Sequence, residues 1–142
     1  QAHDTRLTLC SFHAPPGSVW GEVKPRALKA IASWLPLQSG SVVFGIDANT
    51  PKTDHPDHEN NEWWWEDEPL LLGHQPLHSL RDVFRHVVSS RPTMLNEIRA
   101  IRPTGPLAVS HFRGPGANKI PCRYEFIYAS FDLEVLDATT AI

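Results

Sequence analysis

The segment GIDANT puts a carboxylate, Asp47, and a carboxamide, Asn49, two residues apart where an apolar run gives out. In extended backbone the side chains of i and i+2 project to the same side, so both would face one ligand. The carboxylate can take a proton from water or bind a cation, and the amide can donate to a phosphoryl oxygen. Asp47 and Asn49 are therefore also the candidate metal-binding pair. An Asx turn closing the strand accounts for the same two residues without any chemistry, because Asp and Asn are favoured turn formers. No competing nucleophile stands out: there is no G-x-S-x-G elbow and no P-loop.

The element that delivers Asp47 is 41–46 (SVVFGI), whose continuous apolar character predicts a strand buried on both faces. Upstream, 7–12 (LTLCSF) reads as another strand, stopped at HAPPG by two prolines and a glycine. Between them, Leu28, Ile31 and Leu35 recur at helical spacing, flanked by Trp34, from Pro25 to the break at Pro36. Two strands joined by a helical crossover usually lie parallel, with their carboxyl ends at one edge. His13 and Asp47 then share a rim, and ligands of open α/β sheets bind at that rim.

Further along, 53–69 carries seven acidic residues, three consecutive tryptophans and no Lys or Arg, and reads as a long surface loop. A helical pattern follows, with Leu80, Phe84 and Val87 on one face and Arg81, Asp82 and Arg85 outside it. Segments 107–112 and 124–129 read as strands separated by RGPGANKIP, and 133–136 as a last short strand. No internal repeat or low-complexity tract is present.

SVVFGIDANT resembles the strand-end G-D-x-N motif of the endonuclease/exonuclease/phosphatase superfamily, the group related to DNase I, with Ile46 where glycine is usual. SFHAPPG is similar to that family's strand-end histidine and proline-containing loop, and CRYEFIYAS to its late R-x-D-[YF]-I strand. The three motifs stand in the family's order. The resemblance implies an α/β (α+β) fold, part of a four-layer α/β/β/α sandwich, with 1–142 forming the C-terminal half of one domain. It further implies that Asp47 orients or deprotonates the attacking water, that Asn49 helps hold the scissile phosphate, and that His13 donates to a phosphate oxygen. Glu125 stands where the family has the aspartate that orients a histidine near the C-terminus. The principal Mg2+ (or Mn2+) ligand of the family, a glutamate, would precede Gln1, and the terminal S-D-H would follow Ile142. The expected activity is thus divalent-metal-dependent hydrolysis of a phosphate ester, with this chain inactive alone. Its expected partners are the phosphate-ester substrate, nucleic acid included, and a missing N-terminal half or second copy that covers the sheet face. The alternative is a catalytically dead homologue acting as a binding module, for which Glu125 and the Trp-rich acidic loop speak.

The chain has 142 residues, 41% hydrophobic and 20% charged, which predicts a single domain or part of one and argues against a disordered tail. No run approaches the roughly 20 apolar residues of a membrane span. With a net charge of -3 there is no general electrostatic pull toward nucleic acid. The sequence opens on Gln1 with no signal-peptide pattern, so a cytoplasmic piece of a longer protein is expected. Cys10 and Cys122 read as small core residues. His55, Asp57, His58 and Glu59 read as a solvated acidic loop, since no second ligand pair completes a zinc site. Trp63, Trp64 and Trp65 read as loop packing or a partner interface, with base stacking the alternative. From 81 to 123 eight basic residues face two acidic ones, which reads as charged helix surface more than as a phosphate-facing patch.

Overall fold

The computed structural model describes residues 6–16 and 20–139; Gly17, expected in the loop that closes the first strand, lies outside them. The first three elements form where their patterns predict. Strand β1 spans Leu7–His13, helix α1 Val23–Trp34 and strand β2 Ser41–Asp47. Pro25 falls in the first turn of α1, where a missing N–H leaves no intrahelical bond unmade. At the other end Leu35–Leu37 close the helix as a single 3-10 turn around Pro36. β1 and β2 pair in parallel, with Leu7 opposite Ser41 and His13 opposite Asp47.

The remaining elements are α2 (Pro69–Leu72), β3 (Arg81–Asp82), α3 (Val83–Ser89), α4 (Pro92–Ile101), β4 (His111–Arg113), β5 (Ile120–Cys122) and β6 (Glu125–Ala129). The fold is mixed α+β. One sheet runs β1-β2-β6-β3, with β6 antiparallel to both of its neighbours, and β4 and β5 form a separate antiparallel pair. Among the described residues no helix is long and apolar enough to cross a membrane.

One face of the larger sheet is covered. Val42, Phe44, Ile46, Phe126 and Tyr128 pack there with Leu28 and Ala32 of α1 and with Leu71 and Leu72 of α2. Burial of each large apolar side chain there is worth about 1.5–3 kcal/mol. The opposite face is open: Leu7, Leu9 and Ile127 are 51%, 70% and 54% exposed. β2 is accordingly not buried on both faces as its apolar run predicts, since Val43 and Gly45 on the open side are only half-buried. A second core joins Phe84 and Val88 of α3 to Ile98 of α4, Leu107 and Ala108.

Several expectations are corrected. The helix read from Leu80 begins at Val83, because Asp82 caps it by accepting the Arg85 N–H at 3.1 Å. Asp82 and Arg85 do not lie on an outer surface; Asp82 is buried and Arg85 largely so, in an ion cluster with the buried Asp54 and Arg123. α4 was not expected at all. Within 107–112 only the end enters a strand, the rest being buried irregular chain, and 133–136 forms no strand. The acidic segment 53–69 is tied to the body: Thr53 and Glu62 exchange two backbone bonds, and Asp54 and Glu68 are buried.

His78 holds α2 to the sheet as a neutral imidazole. Its Nε2–H donates to the Leu71 carbonyl at 2.8 Å, its Nδ1 accepts from the Leu80 N–H at 3.2 Å, and its ring meets Tyr128 edge-on. Burial holds its pKa below the ordinary imidazole range, partly offset by the bond to Leu71, and burial lowers His58 likewise. The unfolded chain therefore takes up these protons first, so stability present above about pH 6.5 is lost as the pH falls. Glu68 acts in the opposite sense, since burial raises its pKa. The His78 contribution is thus read as a difference: the urea midpoint should drop less between about pH 7.5 and pH 5 for His78→Gln than for wild type. Parallel pH dependences for the two proteins would contradict this assignment.

Candidate active site

The register of the sheet sets three chemistry-bearing residues in one row. His13 on β1 pairs with Asp47 on β2, and Asp47 pairs with Glu125 on β6. The His13 Nε2 lies 3.6 Å from Asp47 Oδ2, with the histidine side chain 69% and the aspartate 33% exposed. Glu125 is exposed in the same row. The strands therefore gather His13, Asp47 and Glu125 at the rim where ligands of such sheets bind.

Asn49 reaches this row by a turn. Extended geometry ends at Asp47, and Asn49 has a left-handed φ of 49°, a conformation that Asn tolerates better than most residues. Asp47 Oδ1 accepts the Asn49 N–H at 3.1 Å, so the Asx turn is present. The turn and a site are not exclusive, because Asp47 Oδ2 still faces His13. The Asn49 carboxamide donates from Nδ2 to the Ala14 carbonyl at 3.1 Å and so ties the end of β2 to the end of β1. Two backbone bonds hold the same corner: Ala14 N–H to Asp47 O and Ala48 N–H to Tyr124 O, each 2.8 Å.

Behind the turn lie two charged residues that pattern reasoning missed. The Lys24 ammonium donates to the Asn49 carbonyl at 2.5 Å and lies 5.4 Å from the centre of the Trp65 ring. Burial pushes its pKa down, countered by the carboxylates of Glu68 and Asp47. Glu68 accepts from the Thr50 hydroxyl at 2.5 Å and from the Trp64 N–H at 2.9 Å. Burial raises its pKa against the pull of these bonds and of Lys24. One signal was available for Lys24: the first turn of a helix that follows β1 must lie near the rim where β1 ends.

The other candidates are placed elsewhere. Trp63 packs against the main core, and Trp64 lies beneath Lys52 and Arg113. Much of the basic excess of 81–123 is paired within the chain: Arg85 and Arg123 in the buried cluster, and Arg91 on Asp137 and Arg99 on Asp57 at the surface. His55 Nδ1 accepts the Asp57 N–H, while His58 Nε2 contacts the Leu72 carbonyl. Burial raises the Cys10 thiol, which disfavours the reactive thiolate.

Among the described residues no group of three or more His, Cys, Asp and Glu side chains is arranged to hold a metal ion. Asp47 offers one oxygen not bound within the turn, and Asn49, which gives one amide N–H to Ala14, offers its Oδ1. Mg2+ requires near-octahedral oxygen coordination, so Asp47 and Asn49 alone do not fit it. The row can still accept a proton at Asp47, donate one at His13 and offer carboxylate charge at Glu125. Compared with known proteins, the chain matches no family model, no curated protein and no solved structure.

Proposed function

We propose that this chain is part of a divalent-metal-dependent phosphoesterase, a phosphodiesterase, nuclease or phosphatase that hydrolyses its ester with activated water. The observation that carries the reading is the in-register row His13, Asp47, Glu125, with Asn49 bonded beside it. Phosphoryl transfer asks the protein for positioning and charge stabilisation, with no covalent nucleophile. Asp47 takes the proton of the attacking water, and Asn49 and His13 donate to phosphate oxygens. Glu125, one methylene longer than the aspartate of the resembling family, supplies the carboxylate that orients a histidine from outside these residues. A bound divalent ion would neutralise charge on the phosphate, and it would need ligands beyond Asp47 and Asn49.

The partner belongs to the same proposal. In the four-layer sandwich a second sheet covers the first, and the open face bearing Leu7, Leu9 and Ile127 supports such an arrangement. That second sheet comes from an N-terminal half or from another copy.

Mn2+ tests the site even where binding is weak, because its unpaired electrons broaden nearby NMR signals. In the 142-residue chain the amides of His13, Asp47, Asn49 and Glu125 should broaden first, and Asp47→Asn should remove the effect. The same chain should hydrolyse a phosphodiester no faster than buffer. Broadening centred on the acidic segment 53–69, with the rim untouched, would sink the proposal.

A further inference from the structure

We infer that Lys24 is a positioning residue of this site: its buried ammonium, bonded to the Asn49 carbonyl, fixes the turn that holds the Asn49 carboxamide against the end of β1. The inference rests on the proposed reading of the rim as a phosphate-hydrolysing centre.

Lys24 is 1% exposed, although lysine is almost never fully buried without a partner. An apolar side chain would fill the space beside Trp65 without the desolvation that an ammonium suffers. What the ammonium adds is a donor for the Asn49 carbonyl at 2.5 Å and a positive charge near the Glu68 and Asp47 carboxylates. That carbonyl belongs to the one non-glycine residue with positive φ among the described residues. A left-handed residue persists only where its surroundings over-determine it, and here each side is held. Asp47 Oδ1 takes the Asn49 N–H, Lys24 takes its carbonyl, and Glu68 takes the hydroxyl of the next residue, Thr50.

Without Lys24 the carbonyl of Asn49 loses its charged donor and the turn can relax toward the right-handed region. The bond from Asn49 Nδ2 to Ala14 then breaks, and with it the tie beside His13 and Asp47. Lys24 touches no substrate in this scheme. It acts through Asn49, so its loss should lower the rate of the chemical step more than ground-state binding.

In the full-length protein, Lys24→Met should hydrolyse bis(p-nitrophenyl) phosphate with kcat reduced at least about tenfold and KM within about twofold of wild type. Lys24→Arg keeps a charged donor and should recover part of the loss. A wild-type protein without hydrolytic activity removes the reading of the site itself. An active protein whose Lys24→Met variant keeps the wild-type kcat removes the role of Lys24 alone, as does a variant altered only in KM. NMR of the wild-type 142-residue chain supplies a second test that does not depend on whether a variant folds. The Lys24 ammonium protons should exchange with solvent at least about tenfold more slowly than those of an exposed lysine. Exchange at the exposed rate overturns the proposal.

Discussion

Arg123→Met is expected to remove most of the stability of the chain, seen as loss of the cooperative urea transition or a midpoint less than about half of wild type. The guanidinium is 2% exposed and grips Asp82 with two bonds of 2.8 Å, while Asp54 lies 3.5 Å away. Its flat face stacks on Phe126 at 4.3 Å. Burial works against the charge, but the Asp82 and Asp54 carboxylates overcome it and hold its pKa above the ordinary arginine range. Asp82 moves the other way: burial raises it, Arg123 outweighs burial, and the carboxyl stays ionised. Methionine matches the stem and deletes the charge, leaving two buried carboxylates with Arg85 as their remaining arginine partner. Removing one member of a buried pair costs about 3–5 kcal/mol, a large part of the 5–15 kcal/mol of a whole domain. Arg123→Lys should fall between the two, because an ammonium cannot make the two-pronged contact. A midpoint for Arg123→Met within about 0.5 M of wild type would show that the cluster contributes little.

On the proposed phosphoesterase reading, Asp47→Asn should lower the catalytic rate steeply while leaving the fold intact. In the full-length protein kcat for a phosphodiester is expected to fall by about 10²–10⁴, the usual contribution of a positioned general base. The substitution is clean because the turn depends on Asp47 Oδ1 as an acceptor at 3.1 Å, and an asparagine oxygen can accept the same N–H. What is lost is the carboxylate oxygen that faces His13. Thermal melting should place the variant close to wild type, which separates a chemical defect from an unfolded one. A variant retaining most of the wild-type kcat would assign the proton acceptor to another residue.

Local pattern was enough for the part of the fold that builds the rim. The apolar run before His13, the helical spacing of Leu28, Ile31 and Leu35, and the run before Asp47 each specify their element, and the crossover fixes the parallel pairing. What it could not show depends on residues far apart. Arg81, Asp82 and Arg85 read as solvent-facing because charged side chains usually are, and it is chiefly Arg123, 41 residues beyond Asp82, that makes burial of Asp82 tolerable. Lys24 and Glu68 are hidden for the same reason. α4 carried a usable signal, Pro92 in its first turn and Met94, Leu95 and Ile98 at helical spacing, but its mixed charges obscured the stripe. Leu107 and Ala108 are apolar because the second core buries them, and burial alone does not distinguish a strand from irregular chain.

The row at the rim also sets which inherited changes this molecule can absorb. Side chains alternate along a strand, so deleting one residue inside Leu7–His13 would turn Phe12 outward and carry His13 toward the covered face. Residues gained or lost between the crossover helix and its strands shift nothing in the pairing, provided the turn can still close. Variation in length should therefore collect in the loops around α1 and be purged from β1, β2 and β6.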